Sequence, residues 1–170
     1  MRGISVWLFS KIIMLLFVFL AFALMTSFYV SVKEKEFTDS AYFFTEQLKE
    51  RIQMIAFADV LESQTQFYLP KTLPEERQEK GRFYTLTIGK KEDVFYILLS
   101  WGTEKSPKKY LVAQGFNISK EYKVNKQDSC KITVQSSEYI WLNISKKEKE
   151  LTIQKCKSST SCDQPKCEGS

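Results

Sequence analysis

Four cysteines, at positions 130, 156, 162 and 167, are the most reactive side chains that this chain of 170 residues places close together. An even number of clustered cysteines reads as two disulfides when the compartment is oxidising. Three connectivities are open. The spacing favours Cys130 with Cys156, since one begins a strand pattern and the other ends one, and Cys162 with Cys167 closing a small loop. The rival chemistry is a zinc site of four thiolates. The gaps of twenty-five, five and four residues lack the short C-x-x-C knuckles that such sites use. C-x-x-C redox chemistry is missing for the same reason.

There is no histidine, so the commonest general base and the commonest metal ligand are both absent. No G-x-G-x-x-G, Walker A, G-x-S-x-G or H-E-x-x-H pattern occurs. The acids Glu75, Glu76 and Glu79 stand in a charged run with no pocket signature and read as a solvated surface. The abundant Tyr and Phe follow helix and strand periods, as core and bilayer packing require. The expectation is a protein that is not an enzyme, with no catalytic residue, no cofactor and no metal site. Two of the three asparagines open sequons, Asn117-Ile-Ser119 and Asn143-Ile-Ser145, which are candidate N-glycosylation acceptors. Asn143 shares its strand face with Tyr139 and Trp141.

Both features need a segment that delivers them to an exterior. Ile12–Met25 is apolar without a break, and Thr26–Val32 extends it to the charges Lys33-Glu34-Lys35-Glu36. Twelve residues between 12 and 31 are Leu, Ile, Phe or Val, so insertion into lipid gains about 4–7 kcal/mol. The length matches the ~20 residues that cross a hydrocarbon core. Lys11 sits where its stem can snorkel, and Trp7 and Phe28-Tyr29 suit the two interfaces. A cleaved secretory signal is the alternative, with Ala21-Phe22-Ala23 as the processing site. Against it stand the apolar run beyond Ala23 and the greasy Trp7-Leu8-Phe9 in the leader. The flanking charges, with the cysteines and sequons, predict a single-pass protein of the cell membrane, N-terminus cytoplasmic and C-terminal domain extracytoplasmic.

Beyond the span, Phe37, Ala41, Phe44, Leu48, Ile52, Ile55 and Ala58 recur at steps of three and four, an amphipathic helix. With no Pro or Gly between Gly3 and Pro70, one helix over about 4–62 is expected. Residues 74–81 read as a charged loop or short helix. Strands follow at Tyr84–Ile88, at Val94–Trp101 as the central strand, at Tyr110–Phe116, and at three distal period-two segments. Gly89–Asp93 reads as the hairpin loop between the first two. The fold class is α+β, a long N-terminal helix packed on a small antiparallel sheet head of about six strands. The expected divisions are 1–33 for the transmembrane segment, 34–69 for the amphipathic helix, 70–156 for the β domain and 157–170 for a polar, disulfide-tied tail.

Net charge is +5 overall, but it divides as +3 over 1–33, −4 over 34–62 and +6 over 71–170. The distal lysines are interspersed with acids, so a soluble surface is expected, and no nucleic-acid partner.

A basic leader, a long apolar helix, an amphipathic continuation and a β-rich head together resemble archaeal type IV pilin-like proteins with class III signal peptides. Arg2-Gly3 before Ile4-Ser5 is similar to their cleavage point, which implies processing after Gly3. The run from Leu69-Pro70 to Arg82-Phe-Tyr-Thr-Leu-Thr-Ile88 is similar to the junction of helix and first strand in their heads. Leu8 stands at the fifth mature position, where bacterial pilins carry Glu, and Lys11 interrupts the apolar surface. The resemblance implies a pilin-like surface protein rather than an assembled filament subunit. The expected role is non-catalytic, in structure, assembly or adhesion. Its partners are the lipid bilayer and, through the N-terminal helix, a second copy or another membrane protein. The alternative is a monomeric ectodomain that binds a polyanion, glycan or protein as an accessory subunit.

Overall fold

The structure, a computed structural model, describes residues 2–73, 82–101, 110–119 and 121–168. The chain divides into two units, Met1–Phe37 and Thr38–Ser170. A single helix, α1 (Arg2–Ala56), begins in the first and ends in the second.

Of the three- and four-spaced apolar series, Phe37, Ala41, Phe44, Leu48, Ile52 and Ile55 are all buried. Thr45 is buried among them, and its Oγ1 donates to the carbonyls of Ala41 and Tyr42, so its hydroxyl needs no outside partner. At its half-buried flank Lys49 pairs with Glu46 at 2.6 Å, an i,i+3 ion pair.

The helix stops at Ala56 rather than at about 62. No glycine or proline ends it; tertiary partners take over its orphan carbonyls. Tyr122 donates its hydroxyl to Ala56 O at 2.8 Å, and the Lys146 ammonium donates to Ala58 O at 2.6 Å. Lys146 is 7% exposed, and its positive charge suits the negative end of the helix dipole. The next segment then extends as a strand, so only the first part of 34–69 is helical and the β-rich region begins well before residue 70.

Eight strands form two sheets where about six in one sheet are expected. They are β1 (Glu62–Tyr68), β2 (Tyr84–Lys91), β3 (Val94–Trp101), β4 (Tyr110–Asn117), β5 (Lys123–Val124), β6 (Cys130–Gln135), β7 (Trp141–Lys147) and β8 (Glu150–Cys156). One sheet has the order β1-β7-β8-β5 and the other β4-β3-β2-β6. All pairings are antiparallel except β5 with β8. Val94–Trp101 is an interior strand as its two apolar faces predict. The core lies between the sheets and the second half of α1. Phe44 sits 5.4 Å from the ring of Phe67 in β1 and 5.4 Å from Tyr84 in β2, so one helical side chain packs on both sheets.

The hairpin loop expected over Gly89–Asp93 is only two residues long. Gly89, Lys90 and Lys91 all pair with β3, leaving Glu92-Asp93 as the turn. Gly89 is strand because it pairs with Tyr96 of β3 and Lys131 of β6, and it is glycine because a Cβ there would collide with the Tyr96 ring and come within 2.8 Å of Cys130 O. The region 74–81, with Glu75, Glu76 and Glu79, lies outside the described residues.

The parallel contact of β5 with β8 is completed by a side chain. Asn125 has φ 49° and is 8% exposed. Its amide accepts from Ile153 N at 2.8 Å and donates to Ile153 O at 3.2 Å, substituting for the next rung of the ladder. Asn125→Ala orphans both backbone groups and is expected to lower head stability by about 2–4 kcal/mol. Asn125→Gly also loses the amide but tolerates the positive φ. In urea unfolding the alanine variant should therefore show the lower midpoint; equal midpoints for both variants and wild type would refute the rung.

Candidate functional site

Two structural features bear on function, one in each unit. The first is the bare helix. Every residue from Trp7 to Val32 is exposed, and none of the most apolar window is buried within the protein. An apolar surface of this extent needs a solvent other than water. Cations mark its limits. Lys11 Nζ lies 5.8 Å over the Trp7 ring and Lys33 Nζ lies 4.8 Å over the Tyr29 ring, each four residues apart on one helix face. Lys11 and Lys33 are about 33 Å apart along the helix, close to the thickness of a hydrocarbon core. Between them Thr26 Oγ1 donates to Phe22 O at 2.7 Å, so the hydroxyl is satisfied without water. A shallow groove on this stretch is lined by Phe19, Phe22, Ala23, Thr26, Ser27 and Val30. Gly3, the residue before the expected cleavage point, lies in the first turn of α1.

The second feature is the tail of the head unit. All four cysteines are oxidised, but the pairing is Cys130–Cys167 and Cys156–Cys162, not Cys130–Cys156 with Cys162–Cys167. The reason is topological. Cys130 begins β6 and Cys156 ends β8, and these strands belong to different sheets. The chain instead doubles back after β8, where Cys162 forms a bridge beside Cys156 and Asp163 N donates to Lys155 O at 2.8 Å. It then crosses to the open edge of β6, where Glu168 N donates to Lys131 O at 2.6 Å. Lys155 spans the same gap, donating to Thr133 O at 3.1 Å and to the Glu168 carboxylate at 2.9 Å. Each disulfide thus anchors the tail to one sheet. With no free thiol remaining, the four sulfurs cannot form the zinc cage weighed from the sequence.

Local electrostatics follow these contacts. Burial raises the Glu168 carboxyl, but hydrogen bonds from Lys155 and Thr133 outweigh it and hold the group below the ordinary carboxylate value. Tyr139 lies just before β7 and donates its hydroxyl to Asp163 at 2.7 Å. That bond, with burial and nearby carboxylates, pushes its phenol up to about 12.

The sequons differ in setting. Asn117 is exposed at the end of β4. Asn143 is half-buried at the middle of β7, where its Oδ1 accepts from Gln64 at 2.9 Å and its Nδ2 donates to Gln154 at 3.1 Å. These flanking glutamines have no sequence motif. Cross-strand register, not a local pattern, places them beside Asn143. Among the described residues, no group of three or more His, Cys, Asp or Glu is arranged to hold a metal ion.

Compared with protein-family models, curated proteins and solved structures, the chain matches none.

Proposed function

We propose that this protein is a single-pass, non-catalytic cell-surface protein of the pilin-like type, with its N-terminus in the cytoplasm and its disulfide-tied head outside. The observation that carries the reading is the uncharged, fully exposed helix between Lys11 and Lys33, followed by a domain whose cysteines are all oxidised. Lipid covers the first, and an oxidising exterior maintains the second. The anchor holds the head at the surface for a structural or adhesive role. The groove at Ala23, Thr26 and Ser27 lets another helix approach closely, which supports lateral association within the membrane.

Protease added to intact cells should remove the head and leave an N-terminal membrane fragment. Cleavage that occurs only after the membrane is permeabilised would reverse the orientation. N-terminal sequencing of the mature chain tests the processing: a start at Ile4 supports the pilin-like route, Met1 leaves a plain anchor, and Leu24 means secretion.

A further inference from the structure

We propose that the outward face of the β1-β7-β8-β5 sheet is a binding site for an uncharged saccharide. The inference rests on the reading that the head is displayed outside the membrane.

The register places Tyr68, Trp141 and Cys156 in one row across the sheet, Gln66, Asn143 and Gln154 in the next, and Gln64, Ser145 and Thr152 in the third. The first charged side chains on this face, Glu62, Lys147, Glu150 and Lys123, come only in a fourth row, where acids and bases alternate and Lys147 pairs with Glu62 at 3.0 Å. The chain is 26% charged, so three charge-free rows make this floor unlike the rest of the surface. A neutral floor does not attract ions, and its complement is a neutral ligand rich in hydroxyls.

The side chains present suit that ligand. A primary amide offers two donors and an acceptor in one plane, matching adjacent sugar hydroxyls, which both give and accept. The amides are already held: Gln64 donates to Asn143 and Asn143 donates to Gln154, which lowers the entropy lost when a ligand binds. Strands about 4.8 Å apart space the rows' amides roughly one pyranose ring apart. At one end Tyr68, 41% exposed, meets Trp141 edge-to-face at 5.2 Å. Such rings take the apolar C–H face of a pyranose, which water hydrates poorly.

The floor also has a wall. The Cys156–Cys162 disulfide closes the loop Lys157-Ser-Ser-Thr-Ser161, and Gln66 Nε2 lies 3.4 Å from Ser159 O. Since β7 lies between β8 and β1, that contact brings the loop across the aromatic end of the face. Ser158 and Thr160 hydroxyls stand 3.4 Å apart in this exposed loop, adding donors and acceptors along the wall.

The test uses the full chain in phosphatidylcholine nanodiscs, made in a host without N-glycosylation so that Asn143 carries no sugar of its own. Chitotriose and mannotriose are titrated by saturation-transfer NMR. At least one should bind saturably, with magnetisation reaching its ring C–H protons and no loss on raising ionic strength. Trp141→Ala and the exposed Gln66→Ala should each weaken it about tenfold, and Lys131→Ala on the other sheet should not. Gln66→Ala guards against misfolding, provided that its denaturation midpoint matches wild type. The proposal is overturned if neither trisaccharide saturates, if both face variants bind as wild type does, or if a sulfated trisaccharide binds better and salt abolishes it. None of these failures alters the protease result on intact cells, so the reading of the head as extracellular stands or falls separately.

Discussion

The double substitution Leu20→Arg and Leu24→Arg releases the chain from membranes into the alkaline-extractable fraction. Both positions lie near the midpoint between Lys11 and Lys33 and are exposed on the helix. Each exchange loses a favourable leucine and adds a central arginine, a change of about 3–4 kcal/mol. Two together cost about 6–8 kcal/mol against a gain of about 4–7 kcal/mol for the span, so the middle of the ranges turns insertion unfavourable. A single exchange leaves the balance at or above zero, so Leu20→Arg alone should stay largely in the membrane. Leu20→Ala with Leu24→Ala controls for lost bulk and should also remain. Retention of the double arginine variant after alkaline extraction would mean that something other than this helix holds the protein to the membrane. The rest of the functional reading would fall with it.

The second large effect is on the head. Cys130→Ala with Cys167→Ala should destabilise it by about 4 kcal/mol, and Cys156→Ala with Cys162→Ala by about 2 kcal/mol. The difference reflects the loops they close, with sequence separations of 37 and 6. Against a typical domain stability of about 5–15 kcal/mol, losing the larger loop removes a sizeable share. Urea unfolding of the two variants checks the order. The same substitution frees the tail from β6, where Glu168 binds both Lys131 and Lys155. Limited proteolysis of the Cys130/Cys167 variant should therefore begin between 163 and 168. Equal loss of stability for both pairs would argue for the pairing expected from spacing over the one observed, since each double substitution would then break both disulfides.

That expectation failed for an instructive reason. Cys130 and Cys156 both border strands with clear period-two patterns, and neighbouring strands would have joined them. The patterns identify strands but not the sheet that each enters, which depends on pairings made by residues far apart in the chain. β1 was missed for a related reason: only Phe67 on its inward side is large and apolar, and the segment follows a strong helical period with no breaker. It becomes a strand because β7 offers a seven-residue register and because Tyr122 and Lys146 close the helix at Ala56 and Ala58. β5 is shorter still, and Asn125 completes it through a side chain that no strand pattern includes. Gly89, a turn signal in isolation, is strand because β3 and β6 pair with it on either side.

The proposed saccharide face divides in the same way. Trp141, Asn143 and Ser145 are visibly co-facial in the sequence, since a strand alternates. Gln64, Gln66 and Gln154 join them only through cross-strand register, and the loop at Ser159 only through a disulfide. By itself the amino-acid sequence determined the long apolar N-terminal helix, the amphipathic stripe, the interior strand Val94–Trp101 and the engagement of the cysteines in disulfides. Each follows from composition or period within a short window, and transfer free energies and backbone geometry act at that range. Tertiary structure alone decided where the helix ends, how the strands divide between two sheets and which cysteines meet. Those outcomes depend on which distant groups satisfy a buried carbonyl or an open strand edge, and no local window contains both partners.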